Sequence, residues 1–353
     1  MKFGLHYLLS CSDAQSPLQR YRDTIEQAAR GEELGFESVW PVEQHFVRSL
    51  SALSCPSLML AAMAERTRTM RLGTAIVQLP LGHPLRIAEE FATLDVLSGG
   101  RVEFGVGRGA NPYHFAGFGV PMAESRDRLI EALDYIRQAW THEKFSFKGR
   151  FFQAENVTLV PRPIQKPHPP IRVATNSPGT AEFAGRAGYP IFVATNINPY
   201  PKLKELLAVY YNARKEAGHP TTEDDLTILT LLYVGKTRSQ VKKEVEPSIK
   251  QYVNFMDALF AGSAATLQKH ASDAERVQLQ KLREHITSLT YEKVNDLMGI
   301  FDTPDAVVER LKRVQQEFKP GRVICWFNFG GLISHDHVIR SMELFSSKVL
   351  PHF

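Results

Sequence analysis

The sequence predicts a parallel (β/α)8 barrel with insertions, built as one domain over residues 1–353. Three observations carry this. Eight short apolar runs read as strands and alternate with segments of helical spacing, the sequence form of a parallel barrel. The chain has 353 residues, enough for such a barrel, which takes roughly 250 before insertions. Two of the strand-like runs end in turns suited to a phosphate, where a barrel places its chemistry.

Lys2–Leu8 reads as the first strand, and Leu18–Leu34 carries helical spacing and stops at Gly35, a residue that closes helices in the left-handed conformation. Ser38–Val42 is short and apolar, and Ser57–Glu65 is helical. Met70–Leu79 reads as one long buried strand, followed by a helix around Arg86–Leu97. Arg101–Val106 is the next strand and Arg126–Trp140 the next helix. Ile171–Thr175, Ile191–Thr195, Leu226–Val234 and Arg322–Phe327 supply four more strands, each with a helical pattern after it.

Two stretches break the rhythm. Phe145–Pro170 is rich in proline, aromatics and β-formers and reads as a surface hairpin and loop before the fifth strand. Ala261–Thr290, within an insertion of about 261–300, is polar and alanine-rich with a weak apolar stripe. Following the seventh strand, it is a candidate lid over the active-site end, or else a solvated helical excursion.

A net charge of +4 is small for this length, and no basic stripe with interleaved aromatics is present, so nucleic acid is not an expected partner. Cys11, Cys55 and Cys325 are odd in number and far apart, which excludes a disulfide framework or zinc ribbon and suits a reducing cytoplasm. The first residues lack the pattern of a signal peptide, and no run nears the ~18 apolar residues of a membrane span.

The turn Gly105-Val106-Gly107-Arg108-Gly109-Ala110 follows a strand. Its glycines admit close approach of a ligand to the backbone, and Arg108 offers forked donors for phosphate. It fits the loose dinucleotide fingerprint, but Asn111-Pro112 is expected to break the chain where that motif needs a helix. At Asn176-Ser177-Pro178-Gly179-Thr180, Ser177 reads as an N-cap and Pro178 as the first helical residue, which would leave the amides of Gly179, Thr180 and Ala181 free for an anion. His45, in Glu43-Gln44-His45-Phe46 after the second strand, can serve as base or donor near neutral pH. His83 and His114 follow later strands and could face the same cavity. His335 and His337 could be read as a metal pair, but they open a helix with no third ligand in view, so no metal is expected.

Taken in order, Ser38–Phe46, Leu72–Pro80, His83-Pro84, Leu97–Gly109, Gly330-Gly331 and Arg340–Phe345 resemble the bacterial luciferase-like, flavin-dependent monooxygenase superfamily over nearly the whole chain. The resemblance implies a flavin mononucleotide (FMN) site at the barrel's C-terminal face. Arg108 and the turn Asn176, Ser177, Gly179 and Thr180 would lie at its phosphate. Ala75 and Ile76 would lie beside its ring, with a cis peptide between them, a rare bond outside proline. His45, Gln44 and His114 would be the catalytic candidates. The family pattern is Glu-His-His-Phe, whereas this chain has Gln44 for the first histidine; Gln44 can hydrogen-bond but not titrate, so light emission is not expected. Asn176 also replaces an acidic residue, which removes one repulsion toward an anion.

The resemblance further implies two-component chemistry. Reduced FMN from a separate reductase would react with O2 to a flavin peroxy intermediate and oxygenate a small organic substrate, in a homodimer; the cytoplasmic setting is expected from the cysteine usage above. Phe46, Phe104, Phe115 and Trp326 are candidate cavity linings. The alternatives are a deazaflavin (F420)-dependent hydride-transfer enzyme of the same superfamily and a non-catalytic flavin-binding protein.

Overall fold

The computed structural model describes residues 1–267, 280, 283, 284 and 286–353. The strands β1 (Lys2–Tyr7), β2 (Ser38–Pro41), β3 (Arg71–Gly73) with β4 (Val77–Gln78), β5 (Val102–Gly107), β8 (Ile171–Ala174), β9 (Ile191–Ala194), β10 (Leu226–Val234) and β12 (Arg322–Trp326) pair in parallel, and β9 and β12 both flank β10, which closes the barrel. The expected strands are all present. A (β/α)8 barrel is therefore the fold, with helices α1 (Pro17–Glu33), α2 (Pro56–Arg66), α3 (Pro84–Leu97), α4 (Pro112–Gly117), α5 (Ser125–Thr141), α6 (Pro178–Arg186), α7 (Tyr200–Glu216) and α8 (Arg238–Leu267).

Strand alternation sorts each residue to the lumen or the helical layer. Three lumen layers result. At the bottom, Glu103 accepts from Arg172 Nε at 3.0 Å, from Arg322 Nη1 and Nη2 at 3.0 Å each, and from Arg71 Nε at 3.3 Å. Burial alone would raise the Glu103 carboxyl, but the guanidiniums of Arg322 and Arg172 overcome it and hold the group at about 2. In the middle, the Trp40 indole spans the lumen. It lies 6.2 Å from the Phe192 ring and 5.4 Å from the Arg322 guanidinium carbon. Gly73 is required beside it, because a Cβ there would strike the indole. At the top, the His6 and Trp326 rings meet edge to face at 4.9 Å.

Several expectations are corrected. Met70–Leu79 is two short strands. The ladder lapses over Thr74–Ile76, where the Thr74 hydroxyl donates to the Gly105 carbonyl at 2.7 Å and accepts from the Gly105 amide at 3.1 Å, a side chain standing in for backbone pairing. Asn111-Pro112 starts a helix where a break was expected: the Asn111 side chain accepts from the Tyr113 amide at 3.0 Å and Pro112 takes the first helical position. Phe104 does not line the lumen, because alternation turns Glu103 and Gly105 inward; its ring packs on Phe91 at 4.7 Å and Trp140 at 5.1 Å. Phe46 is exposed.

The insertion before the fifth barrel strand is a hairpin, β6 (Phe145–Lys148) with β7 (Gln153–Val157). Glu131 on α5 anchors it by accepting from the amides of Arg150, Phe151 and Phe152 at 2.9, 2.8 and 2.7 Å. Much of the expected lid, Ala261–Thr290, lies outside the described residues. The far end of the expected insertion belongs to the barrel. Helix α9 (Tyr291–Leu297) leads into β11 (Gly299–Asp302), which pairs with Leu231–Val234, the half of β10 beyond its contacts with β9. Helices α10 (Pro304–Phe318) and α11 (His335–Lys348) complete the outer layer.

Candidate active site

The turn after β8 runs into α6, with Pro178 at its first position and Ser177 at the N-cap in an extended conformation. Here the structure changes the expectation. The Ser177 hydroxyl does not cap the helix; it lies 3.1 Å from the Thr180 hydroxyl. The amides of Thr180 and Ala181 both donate to the Ser177 carbonyl, at 3.1 and 3.0 Å. Of the three expected free amides, only that of Gly179 is left without a backbone carbonyl. Asn176 is tied to the next loop, its Oδ1 accepting from Asn198 Nδ2 at 3.4 Å.

Over Gly179 stands a second cation. A Cβ at Gly179 would collide with the Arg126 guanidinium, so the two groups are in contact. Burial first, and then the charge of Arg126, push the Arg108 guanidinium below its ordinary range. Among the described residues, neither Arg108 nor Arg126 has a carboxylate partner. Two like charges near an open helix N-terminus have the chemistry to hold an anion. Arg126 was missed in the sequence. The available signal was a cation in the first turn of a helix, against the macrodipole.

Beside this cradle the Ala75-Ile76 peptide is cis. The Ile76 side chain lies against Gly107, which has no room for a Cβ there. The histidine loop packs next to it. His45 Nε2 is 2.9 Å from Glu43 Oε1, and Glu43 Oε2 accepts from the Gln78 amide at 3.1 Å. Gln78 Nε2 donates to the Glu43 carbonyl at 2.9 Å, which leaves its Oε1 as acceptor for His114 Nδ1 at 3.1 Å. The proton of His114 is thereby fixed on Nδ1, and its Nε2 accepts the His45 amide at 3.2 Å. Both nitrogens of His114 are taken. Burial first, then the neighbouring His45, lower its pKa to about 4, so it is neutral at physiological pH. Gln44 donates its amide to the Leu53 carbonyl at 2.9 Å, while its side-chain Oε1 is buried without a partner.

The sequence matches the family model of luciferase-like monooxygenases over residues 1–318. The chain belongs to the luciferase-like monooxygenase family. It is thereby an enzyme of the flavin-dependent monooxygenase class, as the sequence led us to expect. Among curated relatives, the oxygenase component of a flavin-dependent trigonelline monooxygenase from Acinetobacter baylyi is 28% identical over 263 residues, 74% of this chain and 72% of its own. Among solved structures, the monooxygenase RslO1 from Streptomyces bottropensis superposes with a TM-score of 0.83 at 30% identity, covering 100% of this chain and 99% of its own. The oxygenating constituent of 3,6-diketocamphane monooxygenase from Pseudomonas putida, in complex with FMN, shares the fold at TM-score 0.79 and 21% identity, covering 99% and 98%.

For a luciferase-like monooxygenase, Arg108 and Arg126, without a carboxylate partner among the described residues, and the Gly179 amide have the chemistry to fit the phosphate of a flavin. Other sequence candidates lie elsewhere or serve the scaffold. His83 caps α3 by accepting from the Leu85 amide at 3.2 Å. His335 and His337 sit on the outer wall, 3.9 Å from Asp23 and 3.6 Å from Glu244 respectively; among the described residues no cluster of three or more ligating side chains could hold a metal. A charged surface depression of about 560 Å³, lined by Glu26, Glu33, Arg66 and His335 among others, lies on that outer wall and not at the barrel mouth, so the site is not assigned to it. Among the described residues no helix is long and apolar enough to cross a membrane.

Proposed function

We propose that the protein is the oxygenase component of a two-component monooxygenase that receives reduced FMN from a separate reductase and transfers one atom of O2 to a small organic substrate. The carrying observation is the Arg126 guanidinium against Gly179 with the Arg108 guanidinium in its field, neither with a carboxylate partner among the described residues, at the C-terminal end of the barrel. The oxygenase-component relative and the FMN-bound structural neighbour support the same reading. Bound reduced FMN supplies the electrons that activate O2.

The chain's own residues bind, orient and handle protons. Arg108 and Arg126 grip the phosphate, with Gly179, Ser177 and Thr180 adding neutral donors and Asn176 shaping the turn. Ala75 and Ile76 support the ring. His45 holds or moves a proton through the nitrogen not engaged by Glu43, which fixes its orientation. Gln44 contributes a hydrogen bond through Oε1. His114, with both nitrogens taken, positions His45. We read the protein as one domain working as a cytoplasmic homodimer.

Anaerobic titration with reduced FMN tests this. Arg108→Ala and Arg126→Ala should each weaken binding by about 10- to 100-fold, since a charge-assisted contact contributes ~1.5–3 kcal/mol. Unchanged affinity in both variants would overturn the phosphate assignment. With a coupled reductase and ¹⁸O2, the product should carry one labelled oxygen.

A further inference from the structure

His6 sits in the top lumen layer, where the mechanism above does not use it. Gly4 faces the lumen, since a Cβ there would meet Ser38 and Trp40, and alternation carries His6, two residues on, to the same face. The lumen below is closed by Trp40 and by the Glu103–Arg172–Arg322 layer. His6 therefore faces the C-terminal end of the lumen, above these layers. The walls there are aromatic: Trp326 meets His6 at 4.9 Å, and Phe329 packs on Trp326 at 4.8 Å and on Tyr252 at 4.1 Å.

Polar groups in this wall have partners; His6 has the Trp40 backbone but leaves its Nδ1 open. Trp326 Nε1 donates to the Asn328 carbonyl at 3.2 Å, Trp40 Nε1 donates to the Ser38 hydroxyl at 2.9 Å, and the Tyr252 hydroxyl is bonded to Asn196. His6 is 6% exposed, yet its Nδ1 has no hydrogen-bond partner. A buried polar atom left open in an otherwise satisfied wall calls for a partner from outside the chain. Burial keeps the ring neutral, with a pKa lowered to about 3.

We propose that His6 determines substrate specificity, its Nδ1 binding the hydroxyl of a flat aromatic substrate lodged against Trp326. A hydroxyl both donates and accepts, so it satisfies Nδ1 in either tautomer, whereas a carbonyl satisfies only one. The aromatic wall favours a ring stacked or edge-on. The inference rests on reading the C-terminal mouth as the substrate site.

The test compares p-cresol with toluene, ligands of one shape that differ by the hydroxyl. Binding is followed by quenching of the tryptophans, with and without FMN. The wild type should bind p-cresol about tenfold more tightly than toluene. His6→Phe, which keeps the ring contact with Trp326, should bring the two affinities within about twofold. If that variant fails to fold, the ¹⁵N shift of His6 Nδ1 in the wild type decides: p-cresol should move it and toluene should not. A wild type that does not prefer p-cresol, a preference that survives His6→Phe, or an Nδ1 shift unmoved by p-cresol would each overturn the proposal. Arg108→Ala should leave the cresol-to-toluene ratio intact, so failure of the flavin reading and failure of the His6 assignment are separable.

Discussion

Glu43 and Gln78 grip each other twice, once through the Gln78 backbone amide to Glu43 Oε2 at 3.1 Å and once through Gln78 Nε2 to the Glu43 carbonyl at 2.9 Å. This double link joins the loop after β2 to β4, and it sets the orientation of both His45 and His114. Glu43→Gln keeps the size but changes the partner offered to His45 Nε2. It should lower the yield of oxygenated product about tenfold or more, with affinity for reduced FMN within about twofold of wild type. Product yield and flavin binding measured on the same samples check this, and a parallel fall in both would mean that Glu43 acts on flavin binding.

The pH dependence of stability follows from two buried histidines. His6 and His114 have folded-state pKa values lowered to about 3 and about 4 from an unfolded value of 6.5. Below pH 6.5 the unfolded chain takes up protons that the folded chain refuses. Their stability contribution is thus complete above pH 6.5, falls as pH drops, and levels off only below about pH 4 for His114 and about pH 3 for His6. Urea midpoints should decline across that window. His114→Asn, if folded, should show a shallower decline.

The layer at the bottom of the lumen predicts a large mutational cost. Removing Glu103 leaves Arg172 and Arg322 buried with their shared anion gone. Glu103→Ala should destabilise the fold by about 3–5 kcal/mol, read as a fall in the denaturant midpoint at unchanged slope. A loss below about 1 kcal/mol would show that Glu37 and Asp224, the other carboxylates bonded to these arginines, suffice.

The proposed phosphate cradle predicts a trade between stability and binding. Arg108 and Arg126 repel each other when no anion lies between them. Arg126→Ala should therefore leave the flavin-free protein as stable as the wild type or slightly more so. The same change should abolish much of the rise in melting temperature that saturating FMN gives the wild type. Thermal scans with and without FMN check both halves.

Much of this protein was legible in its residues. Strand and helix periods are local, so the eight barrel strands, the hairpin after Trp140 and the helix beginning at Pro178 could be read directly, and the motifs around Arg108 and Ser177 marked the end at which we propose the phosphate. The turn chemistry was less faithful to sequence, because Ser177 had two uses for its hydroxyl and packing chose Thr180 over the helix amides. Tertiary structure alone decided the rest. Arg126 lies eighteen positions past Arg108 on another element and reaches the site only because α5 packs beside α6's first turn. The same holds for His114, whose proton is fixed by Gln78 on β4. His6 looks like any strand residue until the lumen closes around it and leaves Nδ1 alone. Side-chain identity sets what a group can bind, but desolvation and the presence or absence of a partner are fixed only when distant strands converge.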